Sequence, residues 1–299
     1  GLSRTFRGRP AVNGLDLTVE TGELFSLLGP NGAGKTTTIR MLCCVLRPTD
    51  GTATVVGRDI RTDPLSVKRV IAVSPQETAV AGRLSVVENL MLMAGMHGMD
   101  RRAASARAAD LVELMSLGER AREQARRLSG GLKRRLSIAM ALISSPRVLF
   151  LDEPTLGLDP QARRSMWEHI TGLKGSTTIV LTTHYLEEAD ALADRVAIID
   201  EGRIVALGTP VQLKEGIGAR QVTVVEAEHL PGDAVDALRR IYPTVRVTAG
   251  GVEIEGDEVR LYDIEDCLRP RGVVIQSTYR KQITLDDVFL HLTGRQLRE

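Results

Sequence analysis

The sequence predicts an α/β domain built on a mostly parallel sheet, followed by a small α+β unit. Three observations carry this prediction. First, a glycine loop, Gly29-Pro30-Asn31-Gly32-Ala33-Gly34-Lys35-Thr36, lies between an apolar run and a helical start. Second, short apolar runs alternate with helical periodicities up to about residue 213, the pattern of strands and crossover helices in a parallel sheet. Third, the order beyond that point becomes strand, helix, strand, strand, helix, strand, which fits a ferredoxin-like split βαβ unit.

The elements follow in order. Residues 11–19 alternate apolar and polar side chains, as a half-buried strand does. Leu24-Phe25-Ser26-Leu27-Leu28 reads as a short buried strand, and the helix after the glycine loop carries Cys43 and Cys44, expected to be buried thiols. Thr52–Val56 reads as a strand and Val70–Val73 as another, ending at Ser74-Pro75-Gln76. From about residue 84 to 144 the pattern is helical. Ser85-Val86-Val87-Glu88 opens that region as a capping box. Met91, Met93, Met96 and Met99 follow, either as core filling or as an adaptable docking surface. A second helix is expected over Ala103–Leu117 and a third from Leu132 to about Ser144. The basic cluster Arg120, Arg122, Arg126 and Arg127 reads as solvated charge.

Arg147–Glu153 is an apolar strand ending in two acids, Thr177–Thr183 a further buried strand, and Arg195–Leu207 a hairpin around Glu201-Gly202. In the tail the expected strands are Gln221–Glu226, Thr244–Thr248, Val252–Glu255 and Val273–Tyr279. The expected helices are Ala234–Ile241 and Val259–Leu268. Leu285, Val288, Phe289 and Leu292 place one apolar stripe on a closing helix. We expect that stripe to cover the first domain or a second copy.

Composition narrows the function classes. The chain has 299 residues, 43% hydrophobic, enough for one large domain and a small one. A net charge of +1, from 39 basic and 38 acidic residues, leaves no electrostatic footprint for nucleic acid. Aromatics at 3% provide no stacking platform for single strands. The three cysteines form neither metal-ligand spacing nor a disulfide framework, which suits a reducing compartment. No apolar run approaches membrane-spanning length and no signal peptide is visible, so we expect a protein soluble on its own. Residue 1 is Gly and Gly1–Phe6 begins as if mid-domain, so we expect a first strand to be missing and the chain to be truncated there.

The chemistry starts at the loop. Gly29, Gly32 and Gly34 let the backbone aim several N–H groups at one anion, and the helix beginning near Lys35 adds its positive end. Lys35 reaches the outer phosphates of a nucleotide and the Thr36 hydroxyl can ligate Mg²⁺. Asp152 ends an apolar strand where a carboxylate can hold Mg²⁺, and Glu153, one position on, can polarise a water for in-line attack on a γ-phosphate. An isolated Asp-Glu pair is ordinarily a surface turn; the phosphate loop upstream reverses that reading. Gln76 follows a strand end and can touch metal or water. His184 follows a strand and can hydrogen-bond the γ-phosphate, whereas His97, His169, His229 and His291 read as structural. Ser129-Gly130-Gly131 opens a helix as a second anion site, expected to complete the nucleotide site of another copy.

The set Gly29–Thr36, Gln76, Leu128-Ser129-Gly130-Gly131, Phe150-Leu151-Asp152-Glu153, Gly157-Leu158-Asp159 and His184 resembles the ATP-binding cassette ATPases of ABC transporters. Order and spacing match through residues 6–209, and the serine-glycine-glycine signature is the discriminating motif. The resemblance implies a P-loop ATPase cassette over residues 1–212, with a helical subdomain at about 78–144, and a regulatory or assembly domain over 213–299. It implies ATP and Mg²⁺ as cofactors. Glu153, His184 and Gln76 are then catalytic, and Thr36, Gln76 and Asp152 are the metal residues. Phe6 would stack on adenine, and nucleotide contacts extend to Thr37 and Asp159. One departure is Leu132, where many members carry Gln.

Gly157–Arg163 and Thr284–Gly294 together resemble the daunorubicin/doxorubicin-resistance type of exporter ATPase, which works with a separate ABC-2 type permease. The implied partners are a second copy in a head-to-tail ATP sandwich and that permease, with no nucleic acid. The implied location is the cytoplasmic face of the membrane, bound peripherally. A DNA-maintenance ABC ATPase would carry long coiled coils, and no sustained heptads appear here. A translation-associated one resembles two linked cassettes, and this chain has one.

Overall fold

The computed structural model describes residues 1–216, 222–248, 250–256, 259–281 and 283–294. The chain divides into two compact units. One covers Gly1–Pro210 and, among the described residues, also 292–294; the other covers Val211–His291.

In the first unit, β1 (Leu2–Phe6) and β2 (Arg9–Leu15) form an antiparallel ribbon. The strand expected over residues 11–19 stops at Leu15, because its partner begins at Leu2, which pairs with Leu15. β3 (Leu24–Leu28) is buried at all five positions and leads through the glycine loop into α1 (Lys35–Leu42). The strand expected over Thr52–Val56 shrinks to β4 (Thr54–Val55). Val56 and Gly57, at φ 52° and 73°, turn the chain at once into β5 (Arg58–Asp59). Then come α2 (Pro64–Lys68) and β6 (Ile71–Ser74).

The helical stretch holds α3 (Val86–Met96), α4 (Arg101–Leu114) and α5 (Gly130–Leu142). The expected capping box forms: the Ser85 N–H donates to Glu88 Oε2 at 2.7 Å and the Glu88 N–H to Ser85 Oγ at 3.2 Å. Helix α4 starts two residues earlier than expected because the Asp100 carboxylate accepts from the N–H groups of Arg102 and Ala103. It ends three earlier, before Ser116 at φ 50°. Met91, Met93 and Met99 are half-buried, while Met96 is 74% exposed. Arg120, Arg122, Arg126 and Arg127 are exposed, as solvated charge should be.

β7 (Val148–Asp152), α6 (Pro160–Thr171), β8 (Thr178–Thr183), α7 (Leu186–Leu192), β9 (Arg195–Asp200) and β10 (Arg203–Gly208) complete the unit. One six-stranded sheet, in the order β10-β9-β3-β8-β7-β6, organises it. Every neighbouring pair is parallel except β9 with β10. Strands β3, β7 and β8 are buried throughout, which is why they read as predominantly apolar runs without the alternation of a half-exposed strand.

In the second unit, α8 (Pro210–Gly216) is followed by β11 (Val222–Ala227), α9 (Gly232–Ile241), β12 (Thr244–Thr248) and β13 (Gly251–Glu255). Then come α10 (Leu261–Leu268), β14 (Ile275–Lys281) and α11 (Leu285–Thr293). Gln221, expected to open the first strand, lies outside the described residues. The sheet order is β12-β13-β11-β14 with every pair antiparallel, the ferredoxin-like arrangement. Val225, Leu238, Val252, Ile254, Ile264 and Leu268 form its core. On α11, Leu285, Val288 and Phe289 are buried within the single chain, so that part of the stripe offers nothing to a second copy; Leu292 is 40% exposed.

Candidate functional site: a phosphate loop facing two carboxylates

The site forms where three neighbouring parallel strands end. β3 runs into the glycine loop, β7 ends at Asp152 with Glu153 next, and β8 ends at Thr183 with His184 next. The strands lie in the order β3-β8-β7, so their carboxyl ends bring these residues to one edge, where open parallel sheets place their ligands.

The glycine loop is fixed by close approach. Gly34 caps α1 at φ 105°, and a Cβ there would sit 2.4 Å from the Ala11 carbonyl oxygen. A Cβ on Gly29 would sit 2.2 Å from that of Ile199. Lys35 is buried and donates from Nζ to the carbonyls of Gly29 at 2.6 Å and Pro30 at 3.1 Å. Its Nζ also lies 3.4 Å from Glu153 Oε1. Burial lowers the Lys35 pKa, with the nearby Glu153 and Asp152 charges opposing that shift.

The two acids are held differently. Asp152 Oδ1 accepts from the Thr36 hydroxyl at 3.1 Å and the Thr182 hydroxyl at 2.6 Å. Glu153 bridges two bases: Oε1 faces Lys35, and Oε2 lies 2.8 Å from His184 Nδ1. Its backbone is left-handed at φ 49°, a conformation that costs a non-glycine residue about 1–3 kcal/mol. The Glu153 N–H donates to the carbonyl and hydroxyl oxygens of Thr182, each at 3.1 Å. Lys35, Glu153 and His184 therefore form one buried chain, with Thr36, Asp152 and Thr182 beside it.

The ABC transporter family pattern matches residues 12–156 of the chain. The daunorubicin/doxorubicin resistance ATP-binding protein DrrA of Streptomyces peucetius is 40% identical over 303 residues, covering 98% of this chain and 91% of that protein. This chain belongs to the ATP-binding subunits of ABC transporters. It is an ATPase. The Nod factor export ATP-binding protein I of Burkholderia orbicola is 38% identical, covering all of this chain and 97% of its own length. Among solved structures, the ATP-binding subunit of an ABC transporter superposes with a TM-score of 0.65 at 29% identity, covering 73% of this chain and 91% of that one. A dimeric ATP-binding cassette with ADP and phosphate superposes at 0.63 and 23% identity, over 70% and 96% of the two chains, and speaks to fold alone.

The remaining candidates lie around this cassette's centre. Asn31 and Gly32 are exposed, Pro30, Thr36 and Thr37 half-buried, and Ala33 buried. Gln76 is exposed; its main-chain carbonyl accepts from Arg134 Nη1 at 3.3 Å. Ser129 caps α5, its hydroxyl accepting from the Leu132 N–H at 3.4 Å, with Gly130 exposed and Gly131 and Leu132 half-buried. Asp159 caps α6 by accepting from the Ala162 N–H at 2.9 Å. Phe6 is 43% exposed, with the Arg4 guanidinium 4.6 Å from its ring centroid. A cavity of about 590 Å³ lies elsewhere, lined by Leu15, Leu17, Thr54 and the first residues of β7 and β8; it is not at the phosphate edge.

Sequence reasoning passed over several site residues. Thr182, two residues before His184, lies in a strand buried at every position, so no alternation marks it. Arg134 was not signalled: within Lys133-Arg134-Arg135 it looks like surface charge, yet it is 4% exposed. Nor was Glu188, fully buried, whose Oε1 accepts from the Thr155 hydroxyl at 2.8 Å and Trp167 Nε1 at 3.1 Å.

Proposed function

We propose that the chain is the ATP-hydrolysing subunit of an exporter, working as a head-to-tail pair on the cytoplasmic face of a membrane, with a separate ABC-2 type permease carrying a drug or other hydrophobic compound. The observation that carries the reading is Glu153 held between Lys35 and His184 at the mouth of the phosphate loop. The names of the relatives, for daunorubicin/doxorubicin resistance and Nod factor export, support the export role. Among the described residues no helix is long and apolar enough to cross a membrane.

The chemistry follows from the donors. Loop N–H groups and Lys35 neutralise charge on the outer phosphates. Glu153 orients the attacking water and accepts its proton, and the bond from His184 to Glu153 fixes that carboxylate. With Nδ1 engaged, Nε2 is the His184 nitrogen that remains for a γ-phosphate. The Thr36 hydroxyl and Asp152 carboxylate, 3.1 Å apart, are hard oxygen donors that fit Mg²⁺, with Gln76 as the third candidate. No group of three or more His, Cys, Asp or Glu is poised for a metal among the described residues, which suits an ion that also relies on phosphates and water. When bound, Mg²⁺ supplies charge neutralisation on the β- and γ-phosphates. Ser129, Gly130 and Gly131 of one copy, with Asp159 nearby, complete the site of the other. Phe6 stacks on adenine. We assign residues 1–212 to the cassette and 213–299 to assembly with its partners.

Co-expression tests the export role. With an ABC-2 type permease supplied alongside, the protein should pellet with membranes and its ATP turnover should respond to the permease. Pelleting without the permease, or remaining soluble in its presence, contradicts the reading.

A further inference from the structure

Arg134 sits on the second turn of α5, one turn beyond Ser129-Gly130-Gly131, and its guanidinium is almost completely buried. All four of its hydrogen bonds go to main-chain carbonyls. Nε donates to Pro154 at 2.9 Å and Nη2 to Asp152 at 2.7 Å. Nη1 donates to Pro75 and, at 3.3 Å, to Gln76. These acceptors belong to two segments, the loop carrying Gln76 and the turn carrying Asp152 and Glu153. The peptide unit between Asp152 and Glu153 is thereby gripped on both sides, its carbonyl by Arg134 and its N–H by Thr182. The carbonyls that Arg134 takes from Asp152 and Pro154 flank Glu153, the residue held at φ 49°. A left-handed residue persists only where its surroundings over-determine it.

We propose that Arg134 is a positioning residue: it holds the Gln76 loop and the Glu153 turn in one fixed relation, so that the Glu153 carboxylate faces the attacking water. The proposal rests on the assignment of Glu153 above. No other side chain could replace it. Only a guanidinium presents donors in a planar fork that reaches four carbonyls at once, and a lysine ammonium in the same space has three donors at a single point. Burial works against the Arg134 charge, and the carboxylates of Asp152, Glu188 and Glu153 work in its favour, so the cation belongs to the acidic edge it supports. Arg134 reaches the candidate residues Gln76 and Asp152 only through their main-chain carbonyls, not through the side chains that would meet metal or nucleotide. Its effect should therefore fall on the chemical step and spare nucleotide binding.

The test uses the full chain and the variants Arg134→Lys, Arg134→Gln and Glu153→Gln. Affinity is measured with a fluorescent ATP analogue, and turnover is referred to binding-competent sites. We expect both Arg134 variants to bind nucleotide within about threefold of the parent and to lose about tenfold or more in kcat, since misplacement by an ångström can cost about a hundredfold. Combining Arg134→Lys with Glu153→Gln should lower the residual rate no further, because Arg134 acts through Glu153. Unchanged kcat per competent site overturns the proposal. So does loss of nucleotide binding by both variants, or an equal loss of rate in the Glu153→Gln background. Wild-type turnover by Glu153→Gln alone would instead overturn the assignment of Glu153.

Discussion

Glu188 is an acid shut away from water. Its Oε1 accepts two hydrogen bonds and its Oε2 is buried without a partner. Burial raises its pKa above the ordinary 4.5, with the Glu153 charge adding to the rise. The sign follows. Below the unfolded value both states hold the proton and the group is neutral to stability. As pH rises past 4.5 the unfolded chain releases its proton first, and folding becomes progressively less favourable until the folded pKa is passed. Glu188→Gln removes that titration, so its Tm relative to the parent should climb as pH rises from about 4 towards 8. Thermal melts across that range measure it; a parallel pair of curves would mean Glu188 does not titrate differently on folding. At this scale the sequence was readable where residues stand at strand ends. Asp152, Glu153 and His184 stand at the ends of buried strands and Lys35 closes the glycine loop that follows another, so their meeting could be anticipated. Arg134 and Glu188 could not be anticipated. Their partners are carbonyls, a hydroxyl and an indole N–H roughly twenty or more residues away, and a local pattern of charge says nothing of burial.

The glycine loop is the element on which the site depends. Gly34→Ala would hold a side chain at φ 105° and place its Cβ 2.4 Å from a main-chain oxygen that cannot move aside. Loss of measurable ATP binding and a lower Tm are expected. Gly57→Ala serves as the control: its φ is also positive, at 73°, but the added Cβ meets open space. It should cost about 1–2 kcal/mol of stability and leave ATP affinity unchanged. Titrations of the two variants decide the matter, and intact ATP binding by Gly34→Ala would show that this close approach is not required. The buried strands β3, β7 and β8 were legible because parallel strands covered on both faces are mostly apolar and lack alternation. Element ends were less so. Leu15 ends β2 because its pairing partner runs out, and Arg101 starts α4 because Asp100 caps it; the first depends on a contact remote in sequence.

At the scale of the whole molecule, the ferredoxin-like topology of the second unit was visible in the order of its elements, since two βαβ halves leave few ways to pair four strands. The fate of its closing stripe was not visible, because amphipathic spacing predicts a covered face without naming the cover. The cassette's own centre gathers one phosphate loop, two carboxylates and a histidine, while Ser129 opens α5 and Asp159 opens α6 outside that cluster. A second copy is the natural source of the remaining contacts to nucleotide. Glu153→Gln tests that account most directly, read by sedimentation with and without ATP and Mg²⁺ alongside turnover. The amide keeps a hydrogen-bonding shape but cannot accept a proton. The account predicts ATP binding retained, turnover down by about a hundredfold or more, and conversion to a dimer when ATP and Mg²⁺ are present. A variant that turns over ATP at the parent rate, or that stays monomeric with ATP bound, would contradict it.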